Sequence, residues 1–187
     1  MINDHALNDK PTVIGERVRL VPLGPQHAEP FWQATLDPEN RRLTGTRREF
    51  TLEFVRAWCA DRATQPHRLD LAIEDRTTGD YLGELALIDI DHDSESAAFR
   101  IALGPGLPGR GYGTEAARLL LGYAFEQVRL HRVQLEVYSF NSRAIRAYQK
   151  AGFALEGRLR DAHMWEGRRY DVLCMAALRS EWRAPAQ

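Results

Sequence analysis

The chain has 187 residues, a formal net charge of −1 and 44% hydrophobic residues. That length suits a single domain over 1–187, expected to hold its ordered core over about 15–182, because single cores stop growing beyond roughly 250 residues. The near-zero charge argues against nucleic acid or an anionic membrane as a partner, Cys59 and Cys174 form no disulfide framework or metal cluster, and no stretch approaches the roughly 20 apolar residues of a membrane span.

The predicted elements follow in chain order. The first dozen residues carry Asp4, Asp9 and Lys10 and no apolar run; they read as a loose end without a signal peptide, which suggests a cytoplasmic protein. Arg17 to Val21 alternates as a strand does, and Pro25 to Thr35 reads as a short helix. Thr51 is placed to cap a helix with Leu52, Val55, Trp58 and Cys59 on one stripe. Leu69 to Glu74 and Tyr81 to Ile90 read as strands around the turn Arg76 to Asp80, a hairpin. After the polar turn Asp91 to Ser96, Ala97 to Leu103 is the next strand. The period then changes: Ala117, Leu120, Leu121, Ala124 and Val128 mark a helix from Thr114 to about Gln127. Arg132 to Tyr138 closes a strand–helix–strand unit. Ser142 to Ala151 is a second helix, stopped by Gly152. Phe153 to Arg160 and Tyr170 to Leu178 are late strands, and Arg183 to Gln187 reads as a loose tail. The expected fold class is α/β with a mixed, mostly antiparallel sheet, one crossover helix and flanking helices.

Leu107-Pro-Gly-Arg-Gly-Tyr-Gly-Thr-Glu-Ala116 joins a strand to that crossover helix. Gly109, Gly111 and Gly113 let backbone approach a ligand closely. With Thr114 as the expected N-cap, unpaired N–H groups at the positive helix end make a seat for phosphate or pyrophosphate, and Arg110 adds a positive charge. A tight turn that merely reverses the chain is the plainer reading. Gly104-Pro-Gly-Leu-Pro-Gly109 also spells the dinucleotide pattern G-x-G-x-x-G. Against it, Pro105 and Pro108 remove donors, the pattern does not open the helix, and one crossover is too few for a dinucleotide fold. No Gly-Lys-Ser/Thr follows, so the Walker pattern is absent.

Asn141 sits at the next strand–helix junction, with Tyr148 seven residues on. Two helical turns put both on one face, about 10 Å apart. An amide and a phenol so placed read two points of an extended ligand; the plainer reading is a cap and a half-buried tyrosine.

Together these segments resemble the GNAT superfamily of N-acetyltransferases. Arg110-Gly-Tyr-Gly-Thr-Glu-Ala116 is similar to its pyrophosphate loop, and Asn141 to Phe153 to its coenzyme-A and general-acid helix. Phe153 to Asp161 followed by Gly167-Arg-Arg-Tyr-Asp171 is similar to the branch of ribosomal-protein N-terminal and spermidine acetyltransferases. The resemblance runs from about Gly15 to Trp182 and is specific from Leu103 to Asp171. It departs at Pro108, where the family usually has Arg or Gln, at Ala98, where this branch often has Glu, and at Ala86, where the spermidine enzymes carry another.

The resemblance implies direct attack by a primary amine on the thioester of acetyl-CoA, with no metal. It implies catalytic roles for Tyr148, as acid to the leaving thiolate, and Asn141. It implies a cofactor seat of Ile101, Leu103, Gly109, Arg110, Gly111, Tyr112, Gly113, Thr114 and Asn141, the strand supplying an N–H to the developing oxyanion. Arg110, Arg143 and Arg146 are candidates for the 3′-phosphate, by the affinity of guanidinium for phosphate. A protein N-terminus or a small-molecule amine is the expected acceptor, and a homodimer is compatible with the family. A general base stays unassigned among Glu84, Asp89, Asp91, His92 and Glu95, each of which also reads as a solvated residue. An α-amine, with a pKa near 8, needs less help from a base than a polyamine nitrogen near 10. The rival readings are an acyl-CoA-binding regulator without turnover and a nucleotide-binding oxidoreductase using Gly104 to Gly109.

Overall fold

The computed structural model describes residues 1–182; the tail from Arg183 to Gln187, expected to be loose, lies outside the described residues. Among the described residues, eight strands form one mixed sheet in the order β1-β2-β3-β4-β5-β6-β8-β7. They are β1 (Val13–Ile14), β2 (Val18–Pro22), β3 (Leu69–Asp75), β4 (Tyr81–Asp91), β5 (Ser96–Leu103), β6 (Arg132–Tyr138), β7 (Ala154–Trp165) and β8 (Arg168–Leu178). Every neighbouring pair is antiparallel except β5 with β6, joined through the crossover helix. The helices are α1 (Asp4–Asn8), α2 (Ala28–Leu36), α3 (Pro38–Thr44), α4 (Leu52–Arg62), α5 (Tyr112–Glu126) and α6 (Ser142–Ala151). The expected α/β mixed sheet is therefore what the chain forms.

Both faces of the sheet are covered over its middle strands because both are apolar there. On one, Ala116, Ala117, Leu120, Leu121 and Ala124 of α5 pack with Leu7 of α1, Ala151 of α6 and the sheet residues Leu20, Leu71, Leu85 and Val133. On the other, α2 and α4 bring Ala28, Val55 and Cys59 against Leu23 and Ala72. Cys59 thus sits in the core; Cys174 is half-buried, and both are free thiols. Thr51 caps α4 by accepting from Phe54 N at 3.1 Å.

Three expectations are corrected. The amino-terminal dozen is not loose. Asn3 N donates to Val128 O, the Tyr123 hydroxyl to Ala6 O at 2.6 Å, and the buried Lys10 ammonium to the carbonyls of Leu7, Gln65 and Arg68. All but the Lys10–Leu7 bond join residues far apart in sequence, so local composition does not show them. Second, Asp37 to Phe50, which carries no predicted element, contains α3, capped by Asp37 accepting from Asn40 N at 2.7 Å. It buries no residue, so it carries no apolar stripe to recognise. Third, α5 begins at Tyr112 with Gly111 as its N-cap, at φ 90. Thr114, expected as the cap, lies inside the first turn.

Candidate active site

The pairing of β5 with β6 covers three residues on each strand, Ser96 to Ala98 with Arg132 to Gln134. Beyond them the strands part. β5 from Phe99 to Leu103 stays bonded to β4, and β6 from Leu135 to Tyr138 to β8. A wedge therefore opens inside the sheet, with the β6-facing edge of Phe99 to Leu103 unpaired by any strand among the described residues. Ile101 and Leu103, expected to offer a backbone N–H, lie on that stretch.

Both flanking helices start at the open end of the wedge. After β5, Gly109 at φ 93 and Gly111 at φ 90 turn the chain into α5. The left-handed backbone explains both glycines. Around Gly109 no atom lies within 4 Å of where a Cβ would stand, whereas a Cβ at Gly113 would lie 3.2 Å from Leu103 Cδ1. The loop is thus open on its outer side and the first turn packs close on β5. That is room for a ligand at the helix end, where Tyr112, Gly113 and Thr114 present first-turn N–H groups with no intrahelical acceptor. Glu115 braces the turn from behind: its Oε1 accepts from Arg17 N at 2.8 Å and Val18 N at 3.2 Å. Arg17 in turn donates to Arg110 O at 2.8 Å and stacks over the Tyr112 ring at 4.4 Å. Arg110 itself is exposed.

After β6, Asn141 caps α6, accepting from Ala144 N at 3.1 Å. Tyr148 then falls in the wedge, its ring edge-on to Phe99 at 6.1 Å and to Phe153 at 5.9 Å. Burial pushes its phenol up to about 12, so it keeps its proton across the physiological range. The sequence-predicted residues of the glycine loop, Asn141 and Tyr148 thus surround one opening. Arg143 and Arg146 are exposed on α6, and Arg143 is already paired with Glu39 of α3 at 3.2 Å.

The candidate bases separate. Asp89, Asp91 and His92 are exposed and Glu95 is half-buried at the same end. Asp91 accepts from Asp93 N, Ser94 N and the Ser94 hydroxyl, which hold its carboxyl low, and Glu95 is paired with the terminal amine. Glu84 differs. It stands on β4 opposite Ala72 of β3 and Ala102 of β5, on the α4 side of the sheet. Burial raises its carboxyl from 4.5 to about 7, against the lowering effect of the Tyr81 hydroxyl bonded to it. The solvated reading of Glu84 fails because β4 is an interior strand buried on both faces: Leu82 and Gly83 before it and Leu85, Ala86 and Leu87 after it are all buried.

A second group was not anticipated. The α3–α4 loop meets the β7–β8 hairpin over an open cleft of about 490 Å³ lined by Leu36, Pro38, Arg41, Arg47, Trp165 and Glu166. Behind it, the His163 ring stacks on Tyr138 at 3.8 Å and on Trp165 at 6.3 Å. Tyr138 ends β6, so this cleft adjoins the mouth of the wedge. Its residues are scattered through the sequence, and no local motif joins them.

Residues 17–154 match the family model described as Acetyltransferase (GNAT) domain. The chain is 31% identical over 106 residues to the spermidine N(1)-acetyltransferase of Escherichia coli K12, a match covering 57% of each protein. It is 33% identical over 101 residues to the Vibrio cholerae spermidine N(1)-acetyltransferase, covering 54% of this chain and 58% of that one. The chain therefore spans less than two thirds of these curated relatives. Among solved structures, the Vibrio cholerae spermidine N-acetyltransferase in complex with CoA and spermine superposes with a TM-score of 0.81, covering 89% of this chain and 98% of that one at 22% identity. That likeness concerns the fold.

Proposed function

Because this chain belongs to the GNAT acetyltransferase family, we propose that it moves an acetyl group from acetyl-CoA to a primary amine, either a protein N-terminal α-amine or a small-molecule amine. The wedge carries this reading: an interior strand edge without a partner, flanked by an open glycine turn and a buried phenol, suits an extended thioester.

The residues present fit acetyl-CoA as substrate. The N–H groups of Tyr112, Gly113 and Thr114, with Gly109, Arg110 and Gly111, would hold the pyrophosphate at the end of α5. Arg146 is the freer of the α6 arginines for the 3′-phosphate, since Arg143 has Glu39. Ile101 and Leu103 would supply backbone N–H to the acyl oxygen as it gains charge. Asn141 fixes the start of the helix that carries Tyr148.

Acetyl-CoA supplies an activated acyl group. In the transfer a C–N bond forms to the amine, the C–S bond breaks, the amine nitrogen loses a proton and the sulfur gains one. Tyr148, protonated up to about pH 12, gives the proton to sulfur. Glu84, near 7 and on the strand beside β5, is matched to take one from the amine, directly or through water.

Thermal unfolding with and without acetyl-CoA, followed by thiol release in the presence of amines, tests the reading. A ligand at 100 times its dissociation constant adds about 2.7 kcal/mol of stability. A rise in midpoint with acetyl-CoA and amine-dependent thiol release are expected. Binding without turnover for any amine would leave a coenzyme-binding regulator in its place.

A further inference from the structure

The cleft between the α3–α4 loop and the β7–β8 hairpin has a sign. Arg41 and Arg47 line it, and the Arg47 guanidinium lies over the Trp165 ring at 5.8 Å. Arg42, one residue on, stacks over Phe140 at 4.4 Å. Backbone fixes both lining arginines: Arg41 donates to Arg47 O at 2.8 Å, and Arg47 to Met164 O. Each guanidinium has five N–H donors, so each keeps donors beyond those bonds.

The local carboxylates do not cancel this charge. Among the described residues, no carboxylate lies within 4 Å of Arg42 or Arg47, and the one near Arg41, Glu49, stands 3.9 Å away with its side chain 87% exposed. Glu39 is taken by Arg143 at 3.2 Å. Glu166 lines the cleft from the exposed hairpin tip. One neutral group is also left open. His163 Nε2, buried between the aromatic rings, has no hydrogen-bond partner among the described residues.

Resting on the acetyl-transfer reading, we propose that this cleft seats the acceptor and selects a primary amine that also carries a carboxylate, held by Arg41 and Arg47 against the Trp165 ring. Paired guanidinium donors recognise a carboxylate by charge and by fork geometry. A polyamine brings two or more ammonium groups at neutral pH, and these meet arginines here.

Two matched probe pairs distinguish the source of the carboxylate. L-phenylalanine against L-phenylalaninamide tests an α-carboxylate. The C-terminally amidated peptides Ala-Glu-Ala and Ala-Gln-Ala test an acidic side chain next to an N-terminal amine. Spermidine is the polycation. Binding to the full chain loaded with CoA is measured by calorimetry, and kcat/KM by thiol release from acetyl-CoA. The acid member of at least one pair is expected to be favoured by about tenfold or more, the effect of a charge-assisted contact, and over spermidine. Arg41→Gln and Arg47→Gln should each bring that ratio to within about threefold of one; Arg47→Lys, which keeps the charge, should restore part of it. A ratio altered by the variants is free of any difference in amine basicity between pair members, and a structural role alone would weaken both members equally.

Equal binding within each pair, a ratio untouched by either Gln variant, or tighter binding of spermidine than of both acids overturns the proposal. If no amine is acetylated while acetyl-CoA still binds, the transfer reading fails, and the binding ratios on the CoA complex still judge the cleft.

Discussion

The Tyr81 hydroxyl donates a 2.5 Å hydrogen bond to Glu84 Oε2 beneath α4. The bond favours the charged carboxylate, yet burial outweighs it and lifts Glu84 from 4.5 to about 7. Between those two values the folded chain keeps a proton that the unfolded chain releases. Stability from this group is therefore complete below about pH 4.5, declines as pH rises toward 7, and is absent above. Glu84→Gln keeps the shape and the acceptor for Tyr81 without the charge. It should be more stable than the parent at pH 8 by about 1–3 kcal/mol, with the difference vanishing near pH 4.5. Denaturant melts at the two pH values check this.

The same substitution should damage turnover. If Glu84 takes the amine proton, kcat should climb through about pH 7 in the parent as the carboxylate forms. Glu84→Gln should flatten that limb and lower kcat by about 10²-fold, the lower range for general acid–base groups. A pH–rate profile at saturating acetyl-CoA reads both effects. A fully active, equally pH-dependent Gln variant would remove Glu84 from the mechanism.

Tyr148→Phe isolates the phenol. Among the described residues its hydroxyl makes no hydrogen bond to protein, and the edge-on contacts to Phe99 and Phe153 belong to the ring. Stability should stay within about 1 kcal/mol, because no buried partner is orphaned. The loss should appear in kcat, about 10²-fold or more, with KM for acetyl-CoA nearly unchanged. Steady-state kinetics over a range of acetyl-CoA separates the two terms.

Glu115 should matter although it need not touch substrate. Glu115→Ala removes the acceptor for the Arg17 and Val18 amides and a negative charge at the start of α5. A loss of about 1–3 kcal/mol is expected in thermal or denaturant unfolding. Acetyl-CoA should also bind several-fold more weakly, since Arg17 steadies the Arg110 carbonyl. Glu115→Gln, which retains an acceptor oxygen, should recover part of both.

Elements with a clear signal were legible: α5 and α6 within two residues from their helical spacing, and the strands of the meander as runs between polar turns. What sequence missed was stabilised from a distance. α1 owes its place to Val128, Tyr123 and the carbonyls around Lys10, and α3 buries nothing. Thr114 looked like a cap because glycines normally mark a turn. Here Gly113 is helical and its missing Cβ lets the first turn sit on Leu103. The glycine turn and the Asn141–Tyr148 helix, proposed above to hold acetyl-CoA, stood out in the sequence because each lies within one short segment. The second cleft did not, because Arg41, Arg47, Tyr138, His163 and Trp165 meet only after four separate segments have folded together.

The Lys10 contacts have a mechanical consequence. α1 is tied to the end of α5 through Val128 and Tyr123 on one side, and to the loop after α4 through Gln65 and Arg68 on the other. The first ten residues are thus a clasp between the two helical layers. Opening the clasp would uncover Leu7, which is wholly buried, and slacken the end of α4, the helix that roofs Glu84. Amide exchange in α4 should then report on a substitution at Lys10, on the other side of the sheet from the helix that Lys10 belongs beside.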